Sequence, residues 1–277
     1  MSPKVFLITG TSSGLGHQYA KTVLAQGHYV IATARNASKL SVEGANADNS
    51  LYVNLDITSQ ESVDKAFDKA INKFKRIDVV VNNAGYALCS EFESMSERQI
   101  RMEMEVNFFG VLNVTRKAIE VMRELKTGGL IQQISSVFAH LGYPTFSMYC
   151  ASKWALEGFT QSIAGEMKPE WGIKFTLIEP GGFRTNFAGA SMEYGEKKHP
   201  AYDHIDTQAT MEMLRPIFPG DPVKGAKAFY DLAVMDDPPL QIVVGSDAYT
   251  NLTNSLEGHL EQLKKYETLS NSTDADN

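Results

Sequence analysis

Residues 4–16, KVFLITGTSSGLG, decide how the rest of the chain is read. KVFLIT is a short apolar run bounded by glycine, the pattern of a buried strand. Gly10, Gly14 and Gly16 follow, and then HQYAKTVLAQG, a helix-forming stretch that Gly27 closes. Strand, glycine loop and helix N-terminus together make an anion cradle. Glycines let the backbone approach a diphosphate, and the helix end offers unpaired N–H groups and a partial positive charge.

The spacing is GxxxGxG and not the GxGxxG of the best-known dinucleotide fingerprint. Gly10 to Gly14 also spell GxSxG, the nucleophile elbow of α/β-hydrolases. That elbow normally follows several strands, with its acid and histidine later in the chain. Here the loop follows the first strand, and His140, His199, His204 and His259 carry no supporting motif. The dinucleotide reading is preferred.

Working outward, further strands are expected at 29–34, 51–56, 77–83, 129–135, 173–179 and 240–245, all short apolar runs. Between them lie helical patterns. Val63, Ala66, Phe67, Ala70, Ile71 and Phe74 recur at three- and four-residue steps, and further helices are expected over 97–125, 147–168 and 222–235. Alternating strands and helices predict one α/β domain over 1–265, a doubly wound parallel sheet with helices on both faces. Residues 183–219 fit neither period and are expected to form a lid. The polar tail 266–277 is expected to be disordered.

Composition narrows the function. The 277 residues carry 26 Lys and Arg against 33 Asp and Glu, a net charge of −7, with 43% hydrophobic residues. No basic run of five or more appears, so no nucleic-acid or membrane partner is expected. VFLI is too short for a signal peptide, and no run approaches a membrane span. Cys89 and Cys150 make no disulfide framework, so a cytoplasmic protein with reduced thiols is expected. HPAYDH (199–204) has no recognisable metal spacing, and no metal is assigned.

The second strand's end bears on which dinucleotide is bound. A carboxylate there would accept both adenosine-ribose hydroxyls. This chain has Ala34 and then Arg35, whose guanidinium suits a 2′-phosphate, with Ser13 able to add a hydroxyl. NADP(H) is expected in preference to NAD(H).

Seven separated motifs now coincide in order: TGTSSGLG (9–16), Asp56 in NLDIT, NNAG (82–85), Asn107 in VNFFG, Ser136 in ISS, YCASK (149–153) and PGGFRT (180–185). Together they resemble the short-chain dehydrogenase/reductase family from Lys4 to about Gly245, and most resemble its 17β-hydroxysteroid dehydrogenase-like branch. The resemblance implies a Rossmann-type fold and a catalytic set of Asn107, Ser136, Tyr149 and Lys153. It implies cofactor contacts from Gly10, Thr11, Ser13, Gly14, Leu15, Gly16, Arg35, Asp56, Asn83, Ala84, Gly85, Pro180, Gly181 and Thr185. Asp56 would meet the adenine amino group and Thr185 the carboxamide. Lys153 would hold the nicotinamide ribose, Ser136 the substrate oxygen, and Asn107 a water.

Residue chemistry gives the Tyr149–Lys153 spacing a purpose. A free tyrosine has a pKa of about 10, and lowering it by roughly three units takes about 4 kcal/mol. A cation about 6 Å away at an effective dielectric near 20 supplies roughly 3 kcal/mol. Lys153, one helical turn on, is such a cation, and an oxidised nicotinamide would be a second.

The lid's aromatics and methionines suit a hydrophobic carbonyl or alcohol substrate. His140, Leu141, Tyr143, Phe183 and Phe187 are candidate pocket residues. A homodimer or homotetramer is expected from family likeness. Two other readings stay open: a cofactor-binding regulatory protein without turnover, and a non-redox isomerase or lyase using the same tyrosine.

Overall fold

The computed structural model describes residues 2–189 and 191–275. In chain order its regular elements are β1 (Val5–Ile8), α1 (Gly14–Ala25), β2 (Tyr29–Ala34), β3 (Ser50–Asn54), α2 (Gln60–Phe74), β4 (Val79–Asn82), β5 (Ala87–Cys89) and α3 (Glu97–Met104). They continue with α4 (Gly110–Glu124), β6 (Gly129–Ile134), α5 (Ser147–Glu166), β7 (Ile173–Pro180), β8 (Met192–Tyr194) and α6 (Thr207–Leu214). The last are α7 (Pro222–Val234), β9 (Gln241–Val244), α8 (Ser246–Lys265) and α9 (Glu267–Asn271).

Seven strands pair in parallel in the order β3-β2-β1-β4-β6-β7-β9. The order reverses between β1 and β4, the crevice at which such sheets bind ligands. Helices cover both faces. One core joins β1, β2 and β4 to α1 and α7 through Tyr19, Val23, Phe229 and Tyr230. The other packs the opposite face against α2 and α4 through Val63, Phe67, Val114 and Met122. This is the doubly wound, Rossmann-type sheet expected from the strand–helix alternation.

The first strand–loop–helix unit is tied down by polar atoms as well as apolar ones. Tyr19 Oη on α1 lies 2.6 Å from Gln132 Oε1 on β6 and 3.0 Å from the Phe229 carbonyl on α7. Gln132 Nε2 donates to the same carbonyl at 3.0 Å. Both side chains are buried, so the knot fixes α1 and α7 against the sheet at no cost in orphaned polar groups.

Several details differ from the expectations. The 97–125 helix is interrupted by a π-helical stretch, Glu105–Phe109. The lid contains β8, which pairs in parallel with β5, and α6. The 266–277 tail, expected to be disordered, carries α9, while Asp276 and Asn277 lie outside the described residues. Ser246–Lys265 forms a helix the sequence reading did not anticipate. Its Tyr249, Leu256, Leu260 and Leu263 are exposed, so this apolar face is uncovered among the described residues.

Tyr19→Phe removes the hydroxyl from the knot and leaves Gln132 Oε1 underpaired. It should cost about 1–3 kcal/mol in urea denaturation, with an unchanged m-value.

Candidate active site

At the switch point the glycine loop is shaped by contact with the end of β4. Gly10 has φ +70°, and a Cβ there would sit 2.8 Å from Ala84 Cα. A Cβ on Gly16 would lie 2.3 Å from Asn83 Nδ2 and 2.6 Å from the Gly10 carbonyl. Asn83 Nδ2 in turn donates to the carbonyls of Thr9 (2.9 Å) and Gly10 (3.1 Å). Its amide is therefore spent on holding the loop, while Ala84 and Gly85 continue along the crevice. The Thr11 hydroxyl likewise braces the loop, donating to the Thr33 carbonyl at 3.1 Å. Leu15 packs against the core beneath.

The helix end itself is left open. Ser13 is the N-cap of α1, yet its hydroxyl makes no capping hydrogen bond, and no acid lies in the first turn. Uncapped N–H groups and the absence of negative charge suit a phosphate. A cleft of about 400 Å³ runs from Gly14 past Gln18 to Arg184, Thr185 and Asn186. Arg35 is exposed just past β2. Asp56 is exposed too, and its Oδ1 accepts from the Thr58 backbone N–H and hydroxyl. The donor set and the crowded glycines fit a dinucleotide diphosphate.

Beyond β7, Pro180 and Gly181 open the loop to Thr185. Asp247 on α8 holds this loop: its Oδ2 accepts from the Gly182 N–H at 2.7 Å, and a Cβ on Gly181 would collide with its carboxylate. The sequence reading missed Asp247, which no local pattern connects to residue 182.

The four expected catalytic residues are all buried. Lys153 Nζ donates to the Ile134 carbonyl at 2.9 Å and lies 5.7 Å from the Tyr149 ring centroid. Asn107 sits within the π-helical stretch, a local distortion frequent at functional sites. Its Nδ2 donates to the Tyr86 carbonyl (2.8 Å), and its Oδ1 accepts from the Tyr86 N–H (3.1 Å). A Cβ on Gly85 would lie 3.0 Å from Asn107 Oδ1 and 3.9 Å from Lys153 Nζ, which places all three together. Ser136 Oγ accepts from the Phe138 N–H at 3.2 Å, and its hydroxyl also favours the Tyr149 phenolate.

Around the phenol stands an apolar box. Tyr149 has Phe138, Phe146 and Phe187 with ring centroids at 6.2, 6.1 and 5.8 Å. Met192, Met211, Leu214 and Phe218 of the lid join the same cluster. Tyr143 stacks on Phe138 at 5.0 Å, and Leu141 is half-buried nearby in sequence. Phe183 is not part of the cluster; its ring lies against Gly220 and Gly225. His140 turns toward Glu179, with Nε2 3.1 Å from Oε2.

The electrostatics differ from the Coulomb estimate. Burial raises the Tyr149 pKa well above its ordinary value, and the Ser136 hydroxyl offsets only part of this. Burial also pulls Lys153 down to about 8, against the opposing pull of Glu103 and Glu157. Lys153 Nζ stands 5.7 Å from the ring centroid, and desolvation is the largest influence on the phenol. The phenol is therefore held in its neutral form.

A profile of the short chain dehydrogenase family matches residues 4–194. The chain belongs to the short-chain dehydrogenase family. It is 39% identical over 271 residues to an uncharacterized oxidoreductase of Schizosaccharomyces pombe, covering 98% of this chain and 91% of that one. It is 37% identical over 187 residues to a 3-ketodihydrosphingosine reductase of Bacteroides thetaiotaomicron, covering 68% and 66%. A short-chain dehydrogenase from Streptomyces avermitilis superposes with a TM-score of 0.89 at 36% identity, over 99% of this chain and 100% of that one. Short-chain dehydrogenases are oxidoreductases whose fold binds nicotinamide cofactors.

One buried acid behind the expected catalytic residues escaped the sequence reading. Glu103, one turn before Asn107, is fully buried; Oε1 accepts from the Leu88 N–H at 2.9 Å and Oε2 has no partner. Burial raises its pKa from 4.5 to about 8. The folded state then binds a proton that the unfolded state releases between those values, so stability falls as pH rises through this window. Glu103→Gln keeps an acceptor for Leu88 and carries no charge. Its melting temperature should exceed the wild type's at pH 8, with the gap closing toward pH 5, in paired thermal melts.

Proposed function

We propose that the protein is an NADP(H)-dependent oxidoreductase interconverting a carbonyl and an alcohol on an apolar small molecule. A ketone and secondary alcohol are the favoured pair, and the 17β-hydroxysteroid dehydrogenase-like branch is the favoured placement. The observation that carries the reading is a buried, neutral Tyr149 phenol beside the Ser136 hydroxyl, with Lys153 one turn behind it. Bound NADP(H) supplies or accepts the hydride.

The chain's own residues handle the proton and the developing charge. In reduction, Tyr149 Oη gives its proton to the substrate oxygen while Ser136 Oγ donates a hydrogen bond to it. A neutral phenol is already in the state this direction needs. In oxidation the phenol must first lose its proton, and burial opposes that; the Lys153 ammonium, 5.7 Å from the ring centroid, is the nearby positive charge that would favour it. Asn107 braces the Tyr86 backbone and so fixes the floor on which Lys153 sits, and the family's water relay is assigned to it. Lys153 also holds the nicotinamide ribose in this reading.

Gly10, Ser13, Gly14 and Gly16 take the diphosphate, Thr185 the carboxamide and Asp56 the adenine edge. Arg35 takes the 2′-phosphate, supported by its exposure just past β2, whose Thr33 carbonyl accepts from Thr11 of the glycine loop. The apolar lid around Tyr149 supports a hydrophobic substrate, as does the likeness to an enzyme named for a sphingoid ketone. We assign a homodimer or homotetramer and a cytoplasmic location. No helix among the described residues is long and apolar enough to cross a membrane.

NADPH absorbance followed with a panel of apolar ketones and aldehydes tests the reading. Turnover by the wild type should fall by about 10²–10⁴-fold in Tyr149→Phe. A mutant as fast as wild type removes the phenol from the reaction. Tight NADPH binding with no consumption across the panel favours a non-redox role.

Cofactor choice is tested separately by Arg35→Asp. The ratio of NADPH to NADH affinity should drop by about tenfold or more, equivalent to about 1.4 kcal/mol, in fluorescence titrations. An unchanged ratio removes Arg35 from the assignment.

A further inference from the structure

We propose that His140, Glu157 and Glu179 form a binding site for one divalent first-row transition-metal ion, of the Zn²⁺ or Mn²⁺ kind, beneath the active site. The three come from separate elements: His140 from the loop after β6, Glu157 from α5 one turn beyond Lys153, and Glu179 from the end of β7. One ligand atom from each lies within 4.8 Å of the others. His140 Nε2 and Glu179 Oε2 are 3.1 Å apart.

Two features distinguish this cluster from an ordinary solvated acidic patch. Both carboxylates are buried, Glu157 to 4% exposure and Glu179 to 2%. The cluster is also unsatisfied. Glu157 Oε2 accepts from Gln241 Nε2 at 2.9 Å; the neighbouring Ser135 hydroxyl favours the charged carboxylate, yet Ser135 Oγ, Glu157 Oε1 and His140 Nε2 are all buried without a well-aligned partner. Buried polar atoms left unpaired are costly, and here they converge on one point.

A divalent cation answers both deficits. It neutralises two carboxylates that the imidazole alone would leave with surplus negative charge, and it gives Glu157 Oε1 and His140 Nε2 a common partner. One imidazole nitrogen with two carboxylate oxygens is a donor set for Zn²⁺, Mn²⁺ or Fe²⁺, with room for a further ligand. Glu157 and His140 both have raised pKa values, the first through burial and the second through the Glu179 carboxylate. Metal entry must displace their protons, so affinity should increase with pH. The ion would pin three segments: the one after Ser136, the helix of Tyr149 and Lys153, and the strand entering Pro180. This assignment stands whether or not the proposed reaction is correct.

The test is calorimetric titration of the full chain, stripped with EDTA and desalted, with MnCl₂ and separately with ZnCl₂. Saturable binding at about one ion per chain is expected, with a melting temperature that rises with metal concentration. Glu157→Gln and His140→Ala should each weaken binding by at least ~10-fold, while His204→Ala, on the exposed lid, should leave it unchanged. Glu157→Gln is isosteric and removes a buried charge, so folding should persist and circular dichroism will report it. Absence of saturable binding overturns the proposal. So does binding that survives in both Glu157→Gln and His140→Ala, or that is lost in His204→Ala alone.

Discussion

A lysine ammonium buried to 6% exposure is the constraint on which the site depends. Burying a charge is costly unless it is hydrogen-bonded and electrostatically compensated. The Ile134 carbonyl takes the hydrogen bond, and that carbonyl belongs to the last residue of β6. The bond therefore sets the height of α5 against the strand end. Two residues past Ile134 the chain reaches Ser136, and one turn before Lys153 the helix presents Tyr149. Serine and phenol meet because this bond fixes the strand end and the helix against each other.

The compensation comes from acids, and it is not a simple pairing. Glu103 approaches from α3, and Glu157 lies one turn further along α5; both favour the charged lysine. Neither donates its full charge cheaply, since burial raises both carboxyls. The region thus holds more potential negative charge than one ammonium can balance. Protons satisfy part of that excess, and the His140–Glu157–Glu179 cluster offers a place where a cation could satisfy more. The cost of keeping lysine charged is distributed over several elements and not loaded on one ion pair.

Much of this was legible in the primary structure, for identifiable reasons. Strands buried on both faces read as apolar runs, so the sheet followed from β1 outward, and the ordered motifs located Ser136, Tyr149 and Lys153. What escaped depends on tertiary placement. The β5–β8 pair has three residues a side and no period to detect. Glu103, Asp247 and the His140 cluster are meetings of residues far apart in the chain. Burial pushes the Tyr149 phenol up, and spacing reveals only the lysine four residues away. It does not reveal the rings of Phe138, Phe146 and Phe187 that exclude water from the phenol.

Those rings have two origins, and the difference matters for selectivity. Phe138 and Phe146 belong to the segment between β6 and α5, whereas Phe187, Met211, Leu214 and Phe218 come from the lid. A substrate reaching Tyr149 must replace lid contacts with its own. Each Å² of apolar surface exposed in that exchange costs about 25 cal/mol, so a polar substrate forfeits contacts it cannot return. An apolar one restores them and keeps water from the phenol. In the proposed reaction the same burial that holds Tyr149 protonated would survive into the complex, and hydrophobic selectivity and readiness to donate a proton would arise from one set of contacts.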